Sequence, residues 1–114
     1  YFMVFKFNKD EFGGINRDKF LEVINAEGIP FSQGYGLPLY KNPAFTKKYL
    51  SEIYPDNILK KLPDYEKLHL EMAEKFCDVQ LTLSHTILLA PKKKLQKIID
   101  AVEKIKKNIN EIKK

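Results

Sequence analysis

The chain opens on a run in which Tyr1, Met3, Phe5 and Phe7 fall on one face, a period-two pattern that predicts a strand over Tyr1–Asn8. Gly13-Gly14 then supplies a turn that glycine takes through positive φ at little cost. Asn16 has the character of a helix N-cap, and Asp18 in the first turn suits the positive end of the helix dipole. Ile15 and Phe20 have the spacing of a hydrophobic staple. Phe20, Leu21 and Ile24 form the apolar stripe, and Gly28 ends the helix. A short second strand is expected over Ile29–Gln33.

Further along, residues 43–62 predict short helical turns broken at Pro55 and Pro63. Asp64 is placed to cap a helix in which Tyr65, Leu68, Met72 and Phe76 repeat on one side. Val79–Ser84 alternates cleanly and reads as a strand with one buried face. The last helix starts near Pro91, a residue suited to a first turn. Its apolar residues, Leu95, Val102 and Ile109 with Ile98, Ile105 and Ile112, recur every seven positions. That spacing fits a coiled coil, yet Ile99 widens the stripe, which favours a helix packed along a sheet. The order of elements gives an α+β fold, a small sheet of about three strands with helices packed on it.

Composition narrows the class. At 114 residues and 44% hydrophobic content the chain is one domain with a real core. Its longest apolar run, Tyr1–Phe5, is far too short to span a membrane, and no basic region of a secretory signal precedes it. The single cysteine, Cys77, cannot form an internal disulfide, which fits a cytoplasmic setting. It borders an apolar stripe and reads as a small buried hydrophobe. The chain begins on strand residues without a methionine, and is expected to be a piece of a longer protein.

Residues 92–114 carry nine lysines against three acids, +6, and residues 1–91 are at −1, so the whole basic excess behind the net charge of +5 sits in the last helix. A solvated helix face explains this. Nucleic-acid binding is not expected, because Arg17 is the only arginine available for base and phosphate forks. Nor does the chain carry a self-contained active site. His69, His85 and Cys77 have no compact metal spacing, and there is neither a nucleophile elbow nor a Gly-rich phosphate loop. His85 is expected to serve the Thr86–Leu89 turn rather than catalysis.

What stands out is Tyr35-Gly36-Leu37-Pro38-Leu39-Tyr40-Lys41-Asn42-Pro43-Ala44-Phe45, a segment stiffened by two prolines and bearing two tyrosines. A stiff loop with amphipathic rings suits the presentation of groups to a ligand, or packing on its own domain. Taken with Gly13–Phe20, Ala26–Pro30, the Val79–Ser84 strand, His85, Leu88-Leu89 and Ile98–Ile105, this order of motifs resembles the C-terminal part of the DegT/StrS sugar aminotransferases. The resemblance spans nearly the whole chain and is closest to the branch that aminates keto-inositols and keto-sugars.

The resemblance implies that residues 1–114 are the small C-terminal domain of a fold-type-I enzyme dependent on pyridoxal phosphate, with glutamate or glutamine as amino donor. It implies a homodimer, and a keto-sugar or keto-cyclitol acceptor met by Tyr35, Tyr40 and Lys41. It also implies that the Schiff-base lysine, the aspartate facing the pyridine nitrogen and the phosphate cup belong to a large domain outside this sequence. No lysine here matches the context of that catalytic lysine, so the chain alone is expected to be inactive. The competing expectation is a stand-alone interaction or ligand-binding module that docks through its strand face and terminal helix.

Overall fold

The computed structural model describes residues 1–113. It contains strand β1 (Phe2–Lys6), helices α1 (Arg17–Ala26), α2 (Lys47–Ile53), α3 (Asp56–Leu59) and α4 (Glu71–Val79), strand β2 (Gln80–Ser84), and helices α5 (His85–Leu88), α6 (Lys92–Lys107) and α7 (Ile109–Ile112). The fold is mixed helix and sheet, in keeping with the α+β expectation, and it divides into two compact units. One comprises residues 1–34 with 78–114, the other residues 35–77.

In the first unit β1 pairs antiparallel with β2, Phe2 opposite Ser84 and Lys6 opposite Gln80. The expected strand over Ile29–Gln33 shrinks to a single bridge, Ser32 to Thr82, so the sheet has two strands among the described residues. The local chemistry explains the loss. Pro30 has no N–H to give a ladder, and the Phe31 N–H turns back to the Ile29 carbonyl. Two residues after Ser32 the chain swings through Gly34 at φ 68°. The bridge is nonetheless firm: Ser32 and Thr82 exchange backbone hydrogen bonds of 2.9 and 2.7 Å, and their hydroxyls lie 2.6 Å apart.

Gly34 also lies close against the side chains of β2. A Cβ there would stand 2.8 Å from Thr82 Cγ2 and 3.0 Å from Gln80 Oε1. Thr82 and Gln80 are buried on β2 and have little room to yield. Gly34→Ala combines a left-handed backbone with that clash, and is expected to lower the unfolding free energy by about 1–3 kcal/mol in a urea melt.

α1 forms as its sequence directs. The Asn16 side chain accepts from the Lys19 N–H at 2.8 Å, Ile15 and Phe20 are both buried, and Gly28 follows the helix at φ 82°. Phe20 and Ile24 go into the core, with Leu21 packed at its edge. Phe7, Phe12 and Phe20 form a ring cluster with centroids 4.8–5.2 Å apart. α6 lays Ala101 and Ile105 into the same core, with Ile98 and Val102 beside them and Ile109 and Ile112 continuing the stripe on α7. The heptad spacing therefore records a packed helix. Ile99 is half exposed and lies outside the stripe.

The strand expected over Tyr1–Asn8 is realised as β1, Phe2–Lys6. Of its predicted apolar face only Phe7 is buried, while Tyr1, Met3 and Phe5 are exposed. β1 has one neighbouring strand, and the helices of its unit cover the core side of β2 and the Phe7 end. His85 does not cap the following turn either. Ser84 does that, accepting from the Thr86 N–H, while His85 Nδ1 meets the Tyr1 carbonyl at 2.7 Å and fastens the first residue of the chain.

The second unit is a series of capped turns. Asn42 accepts from the Ala44 N–H and Thr46 from the Tyr49 N–H, opening a short 3-10 turn and α2. Tyr65–Lys67 is a 3-10 turn rather than the start of a long helix, and the Asp64 side chain pairs with Lys47 at 2.8 Å instead of capping it. That partnership holds the Asp64 carboxyl below its ordinary range. The expected stripe through Met72 and Phe76 is not buried: Met72 is largely exposed and Phe76 half exposed. Cys77 is buried, as expected. No helix of the described residues is long and apolar enough to cross a membrane.

Candidate functional site

The three residues expected to meet a substrate, Tyr35, Tyr40 and Lys41, all lie in the second unit. Tyr35 is three-quarters exposed at the start of the segment. Tyr40 and Lys41 sit together in a 3-10 turn entered through the buried Pro38, whose fixed φ sets the direction of the chain.

Both are anchored by one carboxylate. The Tyr40 hydroxyl donates to Glu74 Oε1 and accepts from the Leu70 N–H at 3.2 Å. Lys41 Nζ lies 2.9 Å from Glu74 Oε2. His69 Nδ1 is 2.9 Å from Glu74 Oε1, so three side chains from outside α4 converge on its Glu74. These contacts, the Tyr40 hydroxyl foremost and the Lys41 ammonium next, hold the Glu74 carboxyl down at about 2 against an ordinary 4.5. Glu74 is therefore anionic throughout the neutral range, and Lys41 is its counter-ion.

Glu74 and His69 were not among the sequence-predicted site residues. In the sequence His69 is a candidate only for a general-base or metal site, and Glu74 is one of several acids near a helix start. Nothing in the sequence ties position 74 to position 40, because the pairing is made by a return of the chain through turns of no regular period.

Beside Tyr40 and Lys41 lies a cleft of about 230 Å³. The Phe45 and Tyr65 rings pack at its wall with centroids 5.1 Å apart, and Asn42, Thr46 and Glu66 contribute polar groups. Glu66 carries a carboxylate there, Oε2 accepting from the Lys47 N–H at 3.2 Å. The cleft thus offers ring faces, an amide and a carboxylate within one small volume, while the Tyr40 and Thr46 hydroxyls are engaged within the protein.

Lys41, Lys47, Lys104 and Lys106 are each ion-paired with a carboxylate, on Glu74, Asp64, Glu27 and Glu11 in turn. In the first unit a cleft of about 410 Å³ is lined by Phe5, Phe12, Phe31 and Ile98 together with Lys6, Asn8, Glu11, Glu103 and Lys106. No group of three or more potential metal ligands occurs among the described residues.

Against known proteins, the chain is similar along its whole length to keto-cyclitol aminotransferases. A protein of Micromonospora echinospora, provisionally named as an L-glutamine:3-amino-2,3-dideoxy-scyllo-inosose aminotransferase, is 29% identical over 126 aligned positions, which take in all of this chain and 28% of that protein. Its namesake from Streptoalloteichus tenebrarius is 27% identical over 117 positions, covering 96% of this chain and 27% of its own length. The chain thus spans little more than a quarter of the curated relatives it matches. No family profile matches it, and no solved structure does.

Proposed function

We propose that this chain is the small C-terminal domain of a DegT/StrS-type, pyridoxal-phosphate-dependent aminotransferase that moves an amino group from glutamine or glutamate to a keto-cyclitol or keto-sugar. The observation that carries this reading is the end-to-end similarity to two proteins named for glutamine:amino-dideoxy-scyllo-inosose amino transfer. The cofactor would be held by polypeptide beyond this sequence, and supplies the electron sink of amino transfer when bound. In this reading the enzyme is a cytoplasmic homodimer, and this chain helps to close the active site without reacting itself.

Its own residues would serve the acceptor. Tyr35 would present a ring and a hydroxyl to the substrate, while Tyr40 and Lys41, held by Glu74, would shape the adjoining surface. The anchoring of Tyr40 changes how it can be tested. Tyr40→Phe removes a structural hydrogen bond as well as any substrate contact, so a change in KM for that variant has to be read beside its unfolding free energy.

The test begins with the reading frame directly upstream of the Tyr1 codon. It is expected to continue in frame through a lysine-bearing cofactor domain. The native-length product should then transfer nitrogen from glutamine to scyllo-inosose, and Tyr35→Phe should raise the acceptor KM several-fold with kcat little changed. A start codon immediately before Tyr1 would sink the reading, as would a native-length product that binds the cofactor but aminates no keto-cyclitol or keto-sugar.

A further inference from the structure

β1 has a neighbour on one side only, and the backbone on its other side is open. The Phe7 N–H donates to the Val79 carbonyl at 2.7 Å, and the Tyr1 carbonyl accepts from the His85 N–H at 3.4 Å. Bonded positions alternate along an antiparallel pair, so the backbone groups of Met3 and Phe5 also face β2. Those of Phe2, Val4 and Lys6 point outward. Among the described residues no partner bonds these outward N–H and C=O groups.

Folded proteins guard such an edge with charges, proline, a bulge or a covering segment. β1 shows little of this. Its register with β2 runs unbroken from Phe2 to Lys6, it contains no proline, and its one charge, Lys6, stands at the last position. Both of its faces are apolar and open to solvent. Phe2 and Val4 are more than half exposed on one, Met3 and Phe5 over a third on the other. Phe5 also lines the cleft of about 410 Å³, where Ile98, Ile99 and Val102 of α6 add apolar surface. An unguarded apolar edge is a template for a further strand, which gains affinity from main-chain bonds and fit from alternate side chains.

The relatives indicate where that strand comes from. The aligned stretch is 28% of one and 27% of the other, so most of each protein lies outside it. Resting on the function proposed above, we propose that an extended segment of the parent polypeptide beyond this sequence adds to β1, bonding to the outward groups of Phe2, Val4 and Lys6. Its side chains on the Phe5 face are apolar and pack toward the cleft that Phe5 shares with α6. The small domain is thereby joined to the rest of the enzyme through a continuous sheet.

Hydrogen exchange resolved to single amides by electron-transfer fragmentation tests this on the 114-residue chain and on the native-length product. In the chain alone, the Val4 and Lys6 amides should exchange at least about a hundredfold faster than that of Phe5. In the native-length product both should slow by at least about a hundredfold. Val4→Pro removes one outward N–H and leaves the bonds between β1 and β2 in place. It should quicken Lys6 exchange in the native-length product by at least about tenfold, with Phe5 unchanged. Unchanged Lys6 protection in a folded Val4→Pro overturns the proposal. Val4 and Lys6 amides that stay fast in the unmodified native-length product also overturn it, a result that needs no variant. So does protection that appears in the chain alone as its concentration rises, which would mark a second copy as the occupant. A reading frame confined to this chain removes the occupant and overturns it too. Amino transfer is assayed separately on the same product. A closed edge without transfer to a keto-cyclitol or keto-sugar counts against the aminotransferase alone, whereas transfer with an open edge counts against the added strand alone.

Discussion

Leu83→Ala is expected to lower the unfolding free energy by about 2–5 kcal/mol, out of the 5–15 kcal/mol that a domain of this kind commonly has. Leu83 lies on β2, 1% exposed, opposite Met3 of the neighbouring strand. It shares the core with Ile24 of α1 and Ile105 of α6, the other two side chains most completely removed from water. Truncation would cost the transfer free energy of the lost methyl groups. It would also leave a cavity that can collapse only if both helices move. Leu89, four-fifths exposed after α5, is the matched control, and Leu89→Ala should stay within about 0.5 kcal/mol of the unmodified chain. Urea melts followed by circular dichroism measure both. A loss under about 1 kcal/mol for Leu83→Ala would mean that this core is too loosely packed to register a cavity.

The helices of this core were legible because each carries its own instructions. Asn16, Ile15, Phe20 and Gly28 specify where α1 starts, how it enters and where it stops, all within one local stretch. The α6 stripe was legible for the same reason, since a 3.6-residue period survives whatever the helix packs against. The third strand was misjudged because Pro30 and Gly34 act on backbone hydrogen bonding, while the apolar pattern of Ile29 and Phe31 reports only burial. Both residues are indeed buried, at the edge of a bridge rather than in a ladder. The stripe through Tyr65, Leu68, Met72 and Phe76 failed for a related reason. Helical spacing is necessary for a buried face but does not create one, and here the helix begins only at Glu71.

The site was half legible. Tyr35, Tyr40 and Lys41 could be singled out because Pro38 and Pro43 stiffen the backbone that carries them. The partner that fixes Tyr40 and Lys41 was invisible. In the sequence a glutamate on a helix looks the same whether it meets water or three side chains, and only the path of the chain through residues 42–70 brings Glu74 to them.

Amides of α2 are expected to exchange with solvent at least about a hundredfold faster than those of β2 and α1, because opening the second unit requires little free energy. Among residues 35–77 only Pro38 and Cys77 are buried, whereas the first unit closes over a continuous core. The second unit is held instead by caps at Asn42 and Thr46, by the Phe45–Tyr65 ring pair, and by ion pairs such as Lys47–Asp64 and Lys41–Glu74. Exposed ion pairs contribute little each and are screened by salt. Raising the ionic strength should therefore quicken exchange in α2 and leave β2 unchanged. Acid should act only late at the Tyr40–Lys41 corner. A carboxyl depressed in the folded state supports that state fully above its ordinary value of 4.5, and the support fades as pH falls toward about 2. The corner should thus survive at pH 5 and loosen below pH 4. Hydrogen exchange read by mass spectrometry on peptides from residues 47–53 and 80–84 decides the matter. Equal protection of the two would show that the units open together. Unequal protection would place Tyr35, Tyr40 and Lys41 at the low-stability end of the molecule, where ligand-binding segments are drawn from because they must move to admit what they bind.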